Sequence, residues 1–275
     1  MDVRSLSRTE ARVALSMEAD RVEEASLDEI QRRTRVSRSF ARKIASGMVR
    51  KGWLQRTGRG RYLLNPSRHG PDAIPDTDPF RIGRRIASPY YFGYATAAEL
   101  LGLLPQASRV YYLVSTTRGS SRVAHAAQFR RVYAPPTRFF GLRSILRRGE
   151  RLSVSDLERT VLDCIDRPEY SGGVGGAVRV LESAGRRLNW SRIRRYLDRL
   201  GNRSLALRLG FLAELLGRGA RPPARWAERA RARPMEPYVP LGGPTEFGRR
   251  GPHDHRWHIV RNVPEPTLLA EVDIR

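Results

Sequence analysis

The sequence has one cysteine, Cys164, among 275 residues. An internal disulfide is therefore excluded, and a reducing compartment is expected. Lysine is nearly missing: only Lys43 and Lys51 occur among 51 basic residues, so the positive charge is almost all guanidinium. No apolar run approaches the roughly 18 residues of a membrane span, which excludes a membrane partner of that kind. The start, MDVRSLSRTEARV, has no apolar signal core, so secretion is not expected and a cytoplasmic location is. Acidic residues are absent from a whole window. From Ile30 to Pro71 there are twelve Lys or Arg and no Asp or Glu.

The scarcity of suitable ligand sets also bears on catalysis. His253, His255 and His258 have no cysteine companion, and on a strand 258 would face away from the other two, so no metal site is expected. A metal-dependent nuclease needs clustered carboxylates, typically with a lysine. Neither lysine lies beyond residue 51, and Glu271 and Asp273 stand alone near the end. Glu158 and Asp163 are five apart, a spacing that does not stack two side chains on one helix face. The sequence thus predicts no catalytic residues, no cofactor and no enzyme.

What is present centres on Ser26 to Leu64. Ser26 and Glu29 have the spacing of a capping box, with Leu27 and Ile30 facing inward behind it. Thr34-Arg35-Val36 reads as a tight turn and Ser37 as the cap of a second helix. On that helix Phe40, Ile44 and Met48, with Ala41, Ala45 and Val49, predict a buried stripe. Arg38, Ser39, Arg42, Lys43, Ser46 and Arg50 take the opposite face. Gly52 ends the helix. Trp53–Arg56 and Arg61–Leu64 alternate as strands around the turn Thr57-Gly58-Arg59-Gly60. Helix, turn, helix and hairpin together predict a winged helix-turn-helix in residues 1–65. Arg38, Ser39, Arg42, Lys43 and Ser46 would face base edges, and Arg50, Arg59 and Arg61 the backbone or minor groove of double-stranded DNA. Ahead of it, Ser7 and Glu10 form a second capping box. Ala11, Val13, Ala14, Leu15 and Met17 predict a supporting helix.

Net charge is +23, and residues 1–65 hold fifteen basic against eight acidic residues, so most of the excess lies further on. A polyanionic partner is implied, though not its place. Residues 66–79, rich in Pro and Asp, read as a linker. Residues 80–275 predict a mixed α/β domain, so the fold class is α+β: the winged helix, then a small, mostly antiparallel sheet and a helical bundle. Strands are expected at Arg109–Ser115, Gln128–Tyr133, Arg138–Leu146 and Arg151–Val154. Helices are expected at Ile82–Ala87, Ala95–Leu104, Ser155–Ile165 with a third capping box at Ser155 and Glu158, Val174–Ala184, Trp190–Leu200 and Ser204–Leu216. Arg159 and Asp163 are placed to pair at i, i+4. Residues 218–237 are expected to be mobile, and Trp257–Val260 to form a strand. Tyr90, Tyr91, Tyr111 and Tyr112 read as core aromatics; in the competing reading, an RNA-binding or scaffold protein, they stack on bases.

Four stretches carry a resemblance. They are the N-terminal winged helix; Phe92-Gly93-Tyr94-Ala95-Thr96-Ala97; Ser155-Asp156-Leu157-Glu158-Arg159-Thr160-Val161-Leu162-Asp163 running into Arg167-Pro168-Glu169-Tyr170-Ser171-Gly172-Gly173; and Leu207-Arg208-Leu209-Gly210-Phe211-Leu212-Ala213-Glu214. With Gly248 and Arg256–Asn262 near the end, the chain resembles the AbiEi family, antitoxins and transcriptional regulators of type IV toxin–antitoxin systems. The resemblance implies a repressor that binds inverted repeats in its own promoter and autoregulates its operon. It also implies a second domain that counteracts a nucleotidyltransferase toxin, with no stable complex required.

Overall fold

The computed structural model describes residues 5–70, 78–105, 110–124, 127–147, 149–232, 236–270 and 272. Residues 71–77 of the expected linker, Arg109 of an expected strand, 233–235, Glu271 and Asp273 lie outside the described residues. The chain is mixed α+β and divides into two compact units, Met1–Ile82 with Arg122–Gln128, and Gly83–Ser121 with Phe129–Arg275. Among the described residues no helix is long and apolar enough to cross a membrane.

The first unit runs α1 (Arg8–Ala19), β1 (Glu24–Ser26), α2 (Leu27–Thr34), α3 (Arg38–Arg50), β2 (Leu54–Gly58) and β3 (Arg61–Leu64), with α4 (Pro79–Gly83) following. Its strands form an antiparallel sheet in the order β1-β3-β2, with Ala25 opposite Tyr62 and Gln55 opposite Leu63. The short strand β1 carries no alternation that a sequence pattern could reveal, because three residues hold barely one period.

Only the first of the two expected capping boxes here is complete. At α1, Ser7 N donates to Glu10 Oε2 at 2.7 Å and Glu10 N to Ser7 Oγ at 3.4 Å. At α2, Glu29 N donates to Ser26 Oγ at 3.1 Å, but the Glu29 carboxylate turns to Arg32 and Arg33 instead. The cause is local cation density: a guanidinium one turn on is a stronger partner than a neutral backbone N–H.

Glu10 is itself buried, and its Oε2 also accepts from Lys51 Nζ at 2.6 Å. Burial alone would raise its pKa, but the Lys51 ammonium and the Ser7 donors outweigh burial and hold it below the ordinary carboxylate value. The apolar side chains beneath are Val13, Ala14, Met17, Ala25, Leu27, Ile30, Ala41, Ile44, Ala45, Met48, Trp53, Leu54, Tyr62 and Leu64. Leu15, expected with them, is exposed, since it lies off the Val13–Met17 stripe.

The rest of the chain contributes β4 (Tyr90–Phe92), α5 (Tyr94–Leu100), β5 (Val110–Ser115), β6 (Arg122–Ala124), β7 (Ala127–Tyr133), β8 (Leu142–Arg147) and β9 (Glu150–Ser155). Strands of the second unit lie in the order β7-β5-β4-β9-β8. The pairs β4–β5 and β8–β9 are antiparallel, while β4–β9 is parallel through Phe92 and Val154.

Helices α6 (Leu157–Asp166), α7 (Gly173–Ala184), α8 (Trp190–Leu200), α9 (Arg203–Leu215) and α10 (Ala224–Arg231) follow. The chain ends with β10 (Val239–Pro240), α11 (Pro244–Phe247), β11 (His253–Asp254), β12 (Ile259–Val260) and α12 (Glu265–Leu269). The strand expected at Trp257–Val260 is thus confined to its last two residues. The stretch 218–237, expected to be mobile, contains α10, which buries Ala227 and sets Trp226 4.8 Å from Trp190. Its Arg and Ala are good helix formers, and the flanking prolines stand outside the helix.

Helix α6 has no solvent face: Glu158 to Ile165 are all buried. The third expected capping box does not form. Ser155 ends β9 and its hydroxyl meets Thr160 Oγ1 at 2.7 Å, so Asp156 takes the cap and accepts from Arg159 N at 2.9 Å. Glu158 reaches outward to Asn189 N at 2.9 Å and Arg192 Nη1 at 3.0 Å. Arg159 and Asp163 pair as the spacing predicts, at 2.8 Å. Only one Asp163 oxygen is used; Oδ2 has no hydrogen-bond partner among the described residues. Burial therefore outweighs the guanidinium, and the carboxyl pKa is pushed up from 3.8 to about 6.

Two pH effects of opposite sign follow. Between about 6 and 3.8 the folded chain holds a proton on Asp163 that the unfolded chain does not, so this residue favours folding as pH falls through that window. Glu10, with its lowered pKa, contributes stability above its ordinary 4.5 that is lost as pH falls through the folded value. In urea unfolding from about pH 7 down to about pH 4, the wild type should gain on Asp163→Asn. Below that, it should lose ground relative to Glu10→Gln.

Candidate nucleic-acid interface

The turn between α2 and α3 is made by backbone as much as by side chains. Arg35 adopts a left-handed conformation, φ 56°, and its N–H still reaches Gln31 O, which stops α2 within one residue. Ser37 then caps α3, its hydroxyl accepting from Phe40 N at 3.3 Å. Ala41, Ile44, Ala45 and Met48 bury one stripe of α3. Their spacing turns Arg38, Ser39, Arg42, Lys43, Ser46 and Arg50 outward, and all six are exposed. Ser39, Lys43, Ser46 and Arg50 form the outermost ridge, at the i, i+4, i+7, i+11 spacing, with Arg42 beside it.

Phe40 departs from the expected buried stripe. It is 49 % exposed. It lies about 100° around the helix from Ala41, the angle of one residue, so it sits at the margin of the core face. Gly47, on that same side two turns on, explains the difference. A Cβ at Gly47 would stand 3.0 Å from Glu10 Oε1, so that part of α3 lies against α1, whereas Phe40 lies beyond it.

The hairpin carries the remaining candidates. Gly60, at φ 68°, allows the tight return, and its carbonyl accepts from Leu27 N at 2.8 Å. Arg59 at the tip and Arg61 on β3 are exposed. The side chains of Arg42, Lys43, Arg50, Arg59 and Arg61 make no hydrogen bond or ion pair among the described residues. Arg38 differs: it is salt-bridged to Asp28 of α2. Sequence reasoning missed Arg122. Its Nη1 lies 2.9 Å from where a Cβ on Gly58 would stand, adding a cation beside the tip of the hairpin from a segment far along the chain. No local signal could have placed it there.

In the second unit Tyr91 and Tyr112 follow the core reading, while Tyr90 and Tyr111 are half-buried. Tyr91 and Tyr112 are buried, in a cluster with Tyr94 and Tyr170. Tyr94 lies edge-on to Tyr170 at 4.9 Å. Burial pushes the hydroxyl pKa values of Tyr91, Tyr94 and Tyr112 upward. Arg130 and Arg167 stack on Tyr170, 5.0 Å and 4.5 Å from its ring centre. The three histidines gather around one ring: His253 stacks on Tyr238 at 4.7 Å, His258 lies at 5.1 Å, and His255 Nδ1 bonds the Tyr238 hydroxyl at 2.8 Å. No group of three or more His, Cys, Asp or Glu among the described residues could hold a metal ion. Cys164 is fully buried and its thiol pKa is raised, mainly by desolvation.

No family model and no curated protein matches the chain. Among solved structures, it is similar to the crystal structure of RV2827C protein from Mycobacterium tuberculosis, with a TM-score of 0.63 at 17 % identity. The likeness covers 94 % of this chain and 92 % of that one, and concerns the fold alone.

The Ser37 cap generates a local test. Ser37→Ala should weaken the first turn of α3 by about 1 kcal/mol, about a fivefold rise in local opening, read as faster amide exchange in residues 38–42. Ser39→Ala, which removes a hydroxyl bonded only to Ser37 Oγ at 3.0 Å, should leave that exchange nearly unchanged.

Proposed function

We propose that this chain is a DNA-binding transcriptional repressor whose first unit is a winged helix-turn-helix. Helix α3 would enter the major groove and the β2–β3 hairpin would serve as the wing. The observation that carries the reading is the set of five cations, Arg42, Lys43, Arg50, Arg59 and Arg61, all exposed and none engaged by a carboxylate of the described residues. Such a set is electrostatically ready for phosphate, and a guanidinium can also bond guanine O6 and N7 together. The element order α1-β1-α2-α3-β2-β3 and the sheet order β1-β3-β2 support it. Arg38 must leave Asp28 to take part, so it is a DNA-binding group held in check by a neighbour.

The antitoxin role rests on the resemblance. The second unit would counteract a nucleotidyltransferase toxin while the first represses the shared operon, both in the cytoplasm. A palindromic operator would take one first unit per half-site. No catalytic step is assigned to the chain.

Binding to the chain's own upstream DNA, followed by anisotropy across a salt series against scrambled DNA, tests the proposal. Full-length Arg42→Ala/Lys43→Ala should lose selectivity, and the salt slope should fall by about 0.9 for every phosphate that is no longer neutralised. Equal binding of the wild type to both DNAs would sink the repressor reading. Asp28→Ala should tighten binding by up to about fivefold, because it frees Arg38 and removes a like-signed charge from the DNA face. In cells carrying the adjacent toxin, the Arg42/Lys43 variant should lose repression yet still protect.

A further inference from the structure

Phe40 is an apolar ring at the edge of a helix face rich in exposed cations. It is 49 % exposed and sits in the first turn of α3, between Ser39 and Ala41 and one turn before Lys43. Its backbone is fixed by the Ser37 cap, so the ring is presented from an ordered turn rather than a fraying end. With about half its surface in water, the ring gains burial from any apolar group brought against this face. On the exposed side its near neighbours are Ser39 and, one turn on, Lys43, and the exposed cations of α3 as a whole favour a polyanion over a second apolar protein surface. The apolar group that a DNA major groove offers is the C5-methyl of thymine, and aromatic side chains pack against it.

We infer that Phe40 is a specificity-determining residue that reads a thymine methyl in the major groove, an inference that rests on the DNA-binding reading of α3. Arg42, elsewhere on the exposed face of α3, can select guanine through hydrogen bonds; Phe40 adds a test for thymine that hydrogen bonding does not supply. It discriminates T from C, which lacks the methyl, at one position per half-site.

The experiment uses the full chain and the duplex from upstream of its own reading frame, prepared once with thymidine and once with deoxyuridine throughout. Deoxyuridine removes the methyl and keeps the base-pairing edge. The wild type should bind the thymidine duplex about fourfold more tightly for each methyl that the ring covers. Phe40→Ala should bind both duplexes equally and match the wild type on the deoxyuridine one. Phe40→Leu, apolar but smaller, should retain part of the preference.

Selective binding over scrambled DNA with equal affinity for the thymidine and deoxyuridine duplexes would overturn the Phe40 inference and leave the repressor reading standing. Weaker binding of Phe40→Ala to both duplexes alike would also overturn it, making the ring a group that touches DNA but reads no methyl. Failure of the wild type to distinguish upstream from scrambled DNA would overturn both.

Discussion

Glu10 is buried, and its carboxylate is where the start of α1 and the end of α3 meet. It receives the Ser7 backbone N–H at the start of α1 and the Lys51 ammonium just past the end of α3. Gly47 passes so close that a methyl group there would crowd the same carboxylate. The position of α3 is therefore set by a charge held out of water at one end and by the Ile44–Met48 stripe along its length. That arrangement matters because a buried carboxylate without its cation is far costlier than an apolar side chain in its place. The reading face, by contrast, has almost no internal partners. On the DNA-binding reading, stability and recognition are divided between the two sides of one helix.

The second unit uses the same physics on α6. Five charged side chains sit on or cap a helix with every residue from 158 to 165 buried, and each is tied to a neighbour, Asp166 by accepting from Asn202 Nδ2 at 2.7 Å. Asp156 caps the helix and accepts from the Tyr196 hydroxyl at 2.6 Å; Glu158 holds the start of α8; Arg159 and Asp163 hold each other. A similar tie closes the chain's end. Trp257 Nε1 donates to Glu214 Oε2 at 2.9 Å, and the indole lies where any side chain at Gly210 would stand. The stretches of sequence that carry the family resemblance are thus largely the ones that pin elements to one another.

Much of this is legible in the sequence where a signal is local. The Ser7–Glu10 box, the Ser37 cap, the hairpin around Gly60, the Arg159–Asp163 pair and the exposed set on α3 all follow from spacing over a few residues. The sequence misleads where a competing neighbour decides the outcome. Glu29 and Glu158 have capping-box spacing, but Arg32, Arg33 and Arg192 offer stronger partners. Phe40 fits the helical stripe by its i+4 relation to Ile44, yet α1 stops short of covering it. Strand β1 is hidden by its length, and α10 by a composition that suggests mobility until Trp226 is seen against Trp190. Arg122 reaches the hairpin from some sixty residues away, a placement that only tertiary structure determines.

The bond from Leu27 N to Gly60 O ties the hairpin turn to the first residue of α2, whose cap, Ser26, is also the last residue of β1. The sheet, the helix pair and the turn are therefore joined through the backbone. Were the first unit to bind DNA as proposed, this would have a thermodynamic meaning. Once α3 is seated, the hairpin arrives already oriented, so its contacts add without a second loss of rotational freedom, and its effective concentration at the adjacent groove is that of a tethered group. Two weak contacts on a rigid frame then act with the avidity of one strong one, and loosening the Gly60 turn would weaken binding without removing a single cation.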